Sequence, residues 1–217
     1  METVINIFIQ ARMSSTRFPG KILSSLHNKP LIQHIVDSAK RVNGINKVVV
    51  LTSMEASDDL LISYLKKIHC DYFRGNLEDV FCRFQSSMKV FPCDYFVRLS
   101  ADSPLIDDRL IEWMIKKINR SDDIISNVIT RTFPKGQSVE IIKADTFLSV
   151  DKADLTQDER EHVFPYFYRN HNRYKIHSIE NKSDQNHLSF CVDTLQDLER
   201  LSSSKNVYRF ERDHHET

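Results

Sequence analysis

Short apolar runs alternate with amphipathic segments along most of this chain, and this alternation limits the folds that it can adopt. The runs at 4–9, 47–53 and 94–100 have the length and hydrophobicity of strands that are covered on both faces, and a weaker strand is expected at 70–75. After each run and a loop, apolar residues recur at helical spacing. This pattern predicts an α/β fold in which a mostly parallel sheet lies between two layers of helices.

The helical segments carry start signals of their own. They span residues 30–42, 57–68, 76–90 and 107–118. Pro30 favours the first turn of the first helix, and Ser57 is the expected N-cap of the second. Asp107 or Asp108 is the expected cap of the fourth.

Length and composition favour one domain over residues 1–217. The chain has four glycines and six prolines and shows neither a low-complexity linker nor an internal repeat. Its 30 basic and 30 acidic residues give no reason to expect a nucleic acid or a membrane surface as a partner. No signal peptide or transmembrane stretch is visible, and the four cysteines form no Cys-x-x-Cys pair. These features predict a cytoplasmic protein with free thiols.

The loop after the first predicted strand, residues 10–21, combines positive charge with little side-chain bulk. Arg12, Arg17 and Lys21 can converge on one polyanion. The small residues that would let backbone N–H groups approach such a ligand are Ser14, Ser15 and Gly20. The loop lacks the second glycine and the hydroxyl residue after the lysine that a Walker A loop requires. It predicts a triphosphate site of another kind, although a solvated surface turn fits the residue chemistry about equally well.

Two aspartates stand where ligands bind in open α/β sheets, at the carboxyl ends of strands. Asp102 follows the strand at 94–100. Asp193 follows an apolar run at 188–192 that predicts one more strand, ahead of a helix from about Leu195. Carboxylates in such loops can hold a hard divalent cation. Each also has a structural interpretation, Asp102 as a turn residue and Asp193 as the N-cap of the helix.

Six segments in a fixed order resemble the spore-coat-polysaccharide type of cytidylyltransferase, a relative of the enzymes that make CMP-linked keto-sugar acids. They are IQARMSSTRFPGKIL, FRGNLEDVFCRF, VRLSADSPLID, FPKGQSVEII, DEREHVFPYFYRN and FCVDTLQDLERL, and they cover almost the whole chain. The resemblance implies a Rossmann-like fold of the nucleotide-diphospho-sugar transferase type. It also implies an enzyme that transfers CMP from CTP to a sugar or sugar-acid acceptor, releases pyrophosphate and serves surface-polysaccharide synthesis.

The resemblance also assigns the nucleotide half of the site. Arg12 and Lys21 would bind the triphosphate of CTP and, with Asp102, form the catalytic set, while Arg74 would lie near the base. The full nucleotide-binding set comprises Gln10, Ala11, Arg12, Ser14, Ser15, Arg17, Gly20, Lys21, Arg74 and Asp102. Asp102 and Asp193 match the two carboxylates that hold Mg²⁺, the cofactor that the resemblance implies. Catalysis would then consist mainly of positioning and electrostatic stabilisation.

The acceptor half rests on positions that are typical of this subfamily. The implied acceptor-binding residues are Glu140, Arg160, Glu161 and His162. For His162, an ordinary helix position is an equally good interpretation. An extension at about residues 127–182 is the expected place for acceptor binding or for pairing of two copies into a homodimer.

The chain departs from the family pattern in the second metal motif. In VDTLQD, Leu195 replaces a helix-starting proline and Gln196 replaces an acid. Asp193 and Asp197 are kept, so the departure removes no proposed phosphate or metal ligand.

Two other functions stay open at the level of sequence. A glycosyltransferase that uses a nucleotide sugar would also need a metal, but the usual Asp-x-Asp is missing because a serine and a proline follow Asp102. A non-catalytic nucleotide-binding homologue would have no need of both metal carboxylates.

Overall fold

The computed structural model describes residues 3–204 and 208–210, and strands alternate with helices along the first of these ranges. The strands are β1 (Ile5–Gln10), β2 (Ser25–Leu26), β3 (Lys29–Pro30), β4 (Lys47–Ser53), β5 (Asp71–Gly75), β6 (Tyr95–Ser100), β7 (Ile124–Ser126), β8 (Glu140–Lys143) and β9 (Ile176–Ser178). The helices are α1 (Leu31–Arg41), α2 (Asp59–Lys67), α3 (Val80–Val90), α4 (Asp108–Lys116), α5 (Ala144–Leu148), α6 (Gln157–His162), α7 (Pro165–Arg169) and α8 (Leu195–Ser203).

Seven of the strands form one sheet in the order β5-β4-β1-β6-β8-β7-β9. β1 is parallel to β4 and β6, and β4 is parallel to β5. Among the described strands of this sheet, only the two pairings of β8 are antiparallel. The prediction of a mostly parallel sheet is confirmed, and the carboxyl ends of β5, β4, β1 and β6 meet along one edge.

Helices cover both faces of the sheet, and the alternation of side chains along β1 shows why its residues 7–9 form a continuous apolar run. Ile7 and Ile9 belong to a buried cluster with residues of α1, α2 and α4. Phe8, between them, points to the other face and joins a second cluster with residues of α3, α5 and α7. A strand buried on both faces reads as a continuous apolar run. The predicted three-layer arrangement is confirmed.

Two local predictions are wrong. Ser57 does not cap α2, because a 3₁₀ turn occupies Ala56–Asp58 and the helix begins at Asp59. The run at 188–192 is not a strand but forms an isolated bridge in which Ser189 pairs with Lys135. The run is apolar because Phe190 and Val192 pack in a third buried cluster with residues of α8, and not because it lies in a sheet.

The cap of α4 confirms the prediction, and the start of α3 differs from it. Asp107 is the N-cap of α4, with its carboxylate accepting from the Arg109 N–H. Asp79 caps α3, which starts at Val80, so residues 76–79 of the helix predicted at 76–90 lie outside the observed helix.

Residues 127–182, predicted to serve acceptor binding or dimer pairing, supply β8, β9 and the three short helices α5, α6 and α7. Pairing of two copies stays a prediction. No helix in the described ranges combines the length and apolarity that crossing a bilayer would need. All four cysteines are free, as predicted.

Candidate active site

The loop that follows β1 carries Lys21 into the interior. Gly20 adopts a left-handed conformation (φ 73°), and Lys21 then opens a single 3₁₀ turn. Lys21 is only 8% exposed. Its ammonium donates to the Val192 carbonyl at 2.7 Å and to Asp193 Oδ1 at 3.0 Å, and Arg17 pairs with the same carboxylate oxygen at 3.0 Å. Two of the three predicted phosphate-binding cations therefore meet at Asp193.

Asp58 ties the same loop to the end of β4. Its buried carboxylate accepts hydrogen bonds from Thr52 Oγ1 (2.7 Å), from Ser53 N and Oγ (2.9 and 2.5 Å) and from Met13 N (2.7 Å). Burial alone would raise the pKa of Asp58, but these hydrogen bonds outweigh it and hold the pKa below its ordinary value. The ionised carboxylate thus holds the backbone of the loop at Met13.

Asp102 reaches the same region from the loop after β6. Its backbone carbonyl accepts from Val192 N at 2.8 Å, which fixes the remote C-terminal segment beside the β6 loop. Its side-chain Oδ1 accepts from Ser103 Oγ at 3.0 Å. The neighbouring thiol of Cys191 is neutral, because burial raises its pKa to about 11. The carboxylates are therefore the negative groups that this part of the site presents.

Asp193 is not the N-cap of α8. Thr194 holds that position, where its hydroxyl accepts from Asp197 N and the Asp197 carboxylate accepts in return from Thr194 N. This reciprocal capping box satisfies the start of the helix. The carboxylate of Asp193 is consequently left to pair with Lys21 and Arg17.

These segments enclose a cleft of about 380 Å³. The predicted site residues that line it are Gln10, Ala11, Arg12, Ser15, Arg17, Lys21, Asp102, Glu161, His162 and Asp193. Residues that the sequence reasoning did not single out also line it, namely Thr16, Ile22, Arg98, Ser100 and Ala101. Cations from one loop and carboxylates from distant segments thus share one cavity at the carboxyl edge of the sheet, as ligand sites in open α/β sheets do.

The sequence profile of the cytidylyltransferase family matches residues 6–216. The chain belongs to this family. A cytidylyltransferase from Leptospira borgpetersenii serovar Hardjo-bovis has a closely similar structure, with a TM-score of 0.88 and 31% sequence identity over 93% of this chain and 86% of that one.

Two further comparisons give a similar sequence and a similar fold. The spore coat polysaccharide biosynthesis protein SpsF of Bacillus subtilis is 27% identical over 92% of this chain and 85% of its own length. A CMP:2-keto-3-deoxy-manno-octonic acid synthetase, solved with CTP, shares the fold with a TM-score of 0.72 and 17% identity over 93% of this chain and 98% of that one.

In this cytidylyltransferase, α6 forms one wall of the cleft. Arg12 donates to Glu161 Oε1 at 3.0 Å, which joins the loop after β1 to α6. The next residue is His162, whose Nε2 lies 3.5 Å from Asp158 Oδ1 on the same helix. Val163 then has a positive φ of 73°, rare for a β-branched residue, and this turn ends α6 where its last residues face the cleft.

Glu140 does not line the cleft but lies behind Arg98, which does. Its buried carboxylate accepts from Arg98 Nη1 at 2.5 Å and from the Tyr168 hydroxyl at 2.5 Å. Arg98 also donates to Gln10 Oε1 at 3.0 Å. Glu140 therefore positions a cleft residue. The sequence offered one indication that Arg98 belongs to the site: it is a charged residue inside an otherwise apolar strand, two positions before the strand ends.

Arg74, assigned to the nucleotide base by resemblance, also lies outside the lining residues of the cleft. Its guanidinium donates to Asp59 Oδ1 (2.8 Å), to the Ser53 carbonyl (2.8 Å) and to the Glu55 carbonyl (2.9 Å). These bonds tie the end of β5 to the loop after β4. A direct contact of Arg74 with a base stays a prediction.

The remaining predicted residues outside the lining are Ser14, Gly20 and Arg160. Arg160 donates to Asp79 Oδ2 at 3.2 Å and to the Lys152 carbonyl at 2.7 Å, so it joins α6 to the start of α3. Its contact with an acceptor stays a prediction.

Asp102 and Asp193 are the carboxylates that could hold a divalent cation in the cleft. Within the described ranges, no group of three or more His, Cys, Asp or Glu side chains is arranged as a metal site. Mg²⁺ commonly takes only one or two carboxylates and completes its shell with water and substrate phosphates. Two hard oxygen donors beside a cationic loop therefore fit a metal that is bound together with a nucleotide.

Proposed function

We propose that this protein transfers CMP from CTP to a hydroxyl of a sugar-acid acceptor and releases pyrophosphate, for the synthesis of a surface polysaccharide. The observation that carries this proposal is the cleft itself, in which cations of the β1 loop face carboxylates of two remote segments. Membership of the cytidylyltransferase family supports CTP as the donor. The likeness to a spore coat polysaccharide protein and to a CMP-keto-sugar-acid synthetase supports the class of acceptor.

The three cations of the β1 loop would bind the triphosphate. Each is paired with a cleft carboxylate, Arg12 with Glu161 and the other two with Asp193. A triphosphate carries several charges and offers these cations a stronger partner than a single carboxylate does. Binding of the nucleotide would therefore exchange partners and release Asp193 for a cation. Lys21 and Arg12 would then stabilise the charge that develops on the departing pyrophosphate.

Asp102 and Asp193 would hold the divalent cation, which we propose to be Mg²⁺. When bound, it supplies charge neutralisation of the phosphates and a lower pKa of the acceptor hydroxyl. The residues of the cleft supply positioning, and the loop holds the α-phosphate. The acceptor oxygen forms its bond to the α-phosphorus as the bond from that phosphorus to the oxygen bridging the β-phosphate breaks, and the hydroxyl proton passes to solvent water. A dedicated general base is not required.

The acceptor would lie between α6 and the end of β6. Glu161 and His162 line that side of the cleft, and Arg98 forms part of its floor. Arg98 is fixed by Glu140 and Gln10, so its guanidinium is presented at a defined place without loss of side-chain freedom on binding. A cation held in this way suits an acidic acceptor.

The proposal is tested by incubating the purified protein with each of the four nucleoside triphosphates, Mg²⁺ and a panel of keto-sugar acids and neutral sugars. We expect pyrophosphate release with CTP and an acidic sugar, and a product whose mass is that of the acceptor plus a cytidylyl group. CTP binding without pyrophosphate release for any acceptor would instead favour a non-catalytic homologue.

The first prediction concerns Lys21. We expect Lys21→Met, which keeps the buried stem and removes the charge, to lower kcat about a hundredfold or more, because its ammonium acts where the leaving group develops charge. Lys29→Met is the matched control, since Lys29 forms an exposed pair with Asp37. Steady-state pyrophosphate assays check both variants. Turnover of Lys21→Met at the parent rate would contradict the assigned role.

A further inference from the structure

Arg98 is a cation of the cleft that comes from β6 and not from the loop after β1. Its side chain is 20% exposed. Nη1 donates to Glu140 Oε2, and both Nη2 and Nε donate to Gln10 Oε1. A guanidinium carries five donors and no acceptor. Among the described residues, no partner is found for the other two N–H groups, one on each terminal nitrogen, so they are available to a ligand in the cleft.

The surroundings of Arg98 place it on the acceptor side of the cleft. Its Cζ atom lies 5.9 Å from the centroid of the Phe164 ring, two positions beyond the end of α6. Glu161 and His162, the last residues of α6, line the same cleft. A carboxylate offers two oxygens that one guanidinium can bind together, which is a strong and planar form of recognition. The two available N–H groups therefore suit a carboxylate on the acceptor.

A buried chain of hydrogen bonds supports Arg98 from behind. Glu140 stands opposite Arg98 in the register of β6 and β8 and is buried. Its Oε1 accepts from the Tyr168 hydroxyl at 2.5 Å, and the Tyr168 oxygen lies 2.8 Å from Ser126 Oγ. Burial and the charge of Glu140 raise the pKa of Tyr168, so the phenol keeps its proton. Because that proton is donated to Glu140, Ser126 is the donor to Tyr168.

The bond from Tyr168 limits how Glu140 can pair with Arg98. One carboxylate oxygen is tied to Tyr168, and the other accepts from Arg98 Nη1. Without the phenol, Glu140 could turn both oxygens towards the guanidinium and form the bidentate pair that carboxylates and arginines favour. That pair would use donors that now point to other partners. Tyr168 thus keeps the internal ion pair single and leaves N–H groups of Arg98 for the cleft.

We propose that Arg98 binds the carboxylate of the acceptor and that Tyr168 is a positioning residue for this contact, acting through Glu140. The inference rests on the proposed function, because it takes a sugar acid as the acceptor, and it names the group by which that acid is recognised. A neutral sugar brings no anion to Arg98 and forms weaker hydrogen bonds there. Arg98 therefore distinguishes acidic from neutral acceptors.

The experiment compares keto-sugar acids with their methyl esters, which keep the ring and lack the negative charge, for the parent protein, Arg98→Lys and Tyr168→Phe. The readouts are the ratio of kcat/KM for acid over ester, the KM for CTP, and the Kd of each sugar from calorimetry with CMP and Mg²⁺. We expect the ratio to fall at least about tenfold in Arg98→Lys, because an ammonium lacks the planar fork, and about threefold or more in Tyr168→Phe. The KM for CTP should stay unchanged in both.

Tyr166→Phe is the matched control, since Tyr166 lies on the same helix and is 2% exposed. Loss of a buried hydroxyl can lower Tm in both tyrosine variants, but only Tyr168→Phe should change the preference for the acid. The same fall of the ratio in Tyr166→Phe would overturn the positioning role, as would an unchanged ratio in Tyr168→Phe.

Arg98→Lys decides the carboxylate contact even if Tyr168→Phe does not fold. An unchanged ratio in Arg98→Lys overturns the proposal, and so does a raised KM for CTP without a loss of acid preference, because Arg98 would then serve the nucleotide. A parent protein that binds acids no more tightly than esters overturns it as well. Absence of pyrophosphate release by the parent protein would contradict the proposed function alone, since calorimetry with CMP still measures the preference for the acid.

Discussion

Asp58 illustrates how one buried charge organises the site from outside it. Its carboxylate accepts four hydrogen bonds from the end of β4 and from the loop after β1. The side chain itself does not line the cleft. Its effect on nucleotide binding would pass through Met13, whose N–H it holds, and so through the shape of the loop.

We expect Asp58→Asn to lower the free energy of unfolding by about 3 kcal/mol, because an amide cannot accept all four bonds and brings two donors of its own into a buried place. Urea unfolding measures this loss. KM for CTP should rise as well, since the loop backbone loses its support. Asp59→Asn is a matched control on the neighbouring, exposed position, where the carboxylate accepts from Arg74. Equal stability of the two variants would contradict the role given to Asp58.

Asp58 also makes the stability of the folded protein depend on pH. The pKa of Asp58 in the folded protein lies below its ordinary value of 3.8, so its ionised form stabilises the fold at every pH above about 4. That contribution is lost as the pH falls through the folded-state pKa. We therefore expect Tm to fall below about pH 4 in the parent protein and to fall less steeply in Asp58→Asn.

At the level of elements, the start of α8 decides where Asp193 points. Thr194 and Asp197 form the capping box, and the helix begins at Leu195, which is 51% exposed. The resemblance described above implies a proline at the position of Leu195. With leucine there, the capping box of Thr194 and Asp197 fixes the start of the helix.

We expect Thr194→Ala to cost about 1 kcal/mol of stability, because the cap hydroxyl is lost, and to lower activity through the adjacent Asp193. Leu195→Pro should be neutral or stabilise by about 0.5 kcal/mol, because it occupies the first helical turn and Thr194 before it already has the extended backbone that precedes proline (φ −129°, ψ 169°). Thermal unfolding of both variants checks the pair. A destabilising Leu195→Pro would show that the N–H of residue 195 is needed.

The whole molecule brings the two halves of the cleft together. Lys21 and Asp193 are 172 positions apart, yet their charged groups lie within 3.0 Å. The segment that carries Asp193 is held near Gly136, where Lys135 N donates to the Leu188 carbonyl at 3.0 Å and Phe190 N donates to the Lys135 carbonyl at 2.7 Å. A short stretch of paired backbone therefore sets the distance between the cations and the second carboxylate.

Gly136 tests this long-range support. It has a φ of 92°, and a Cβ there would lie 2.8 Å from the Phe190 carbonyl carbon and 3.0 Å from Cys191 N. We expect Gly136→Ala to displace the segment, lower stability by more than about 2 kcal/mol and reduce kcat/KM. Gly44→Ala is the control, because Gly44 has a similar φ of 78° but open space around it. Gly44→Ala should lose only about 1 kcal/mol of stability, from backbone strain, and keep normal activity. Equal effects of both variants would contradict the support role.

Much of the fold follows from the sequence because it depends on local patterns. The apolar runs became β1, β4 and β6, and the spacing of apolar residues placed α1, α2 and α4 within a few positions. The run at 188–192 was mistaken for a strand because a buried irregular segment is as apolar as a buried strand. The antiparallel β8 was not foreseen, since a strand of four residues carries too little pattern to reveal its direction.

For the candidate site, the sequence by itself determined which residue types the β1 loop and the two aspartates offer, and its ordered motifs pointed to a cytidylyltransferase. The tertiary structure decided which of these residues share one cleft, added Arg98 to its lining and showed that Asp58 holds the loop after β1 from outside it. The reason is physical. Charge and side-chain size are properties of single residues, whereas burial, unmet hydrogen-bond donors and ion pairs such as that between Lys21 and Asp193 exist only after distant segments have packed.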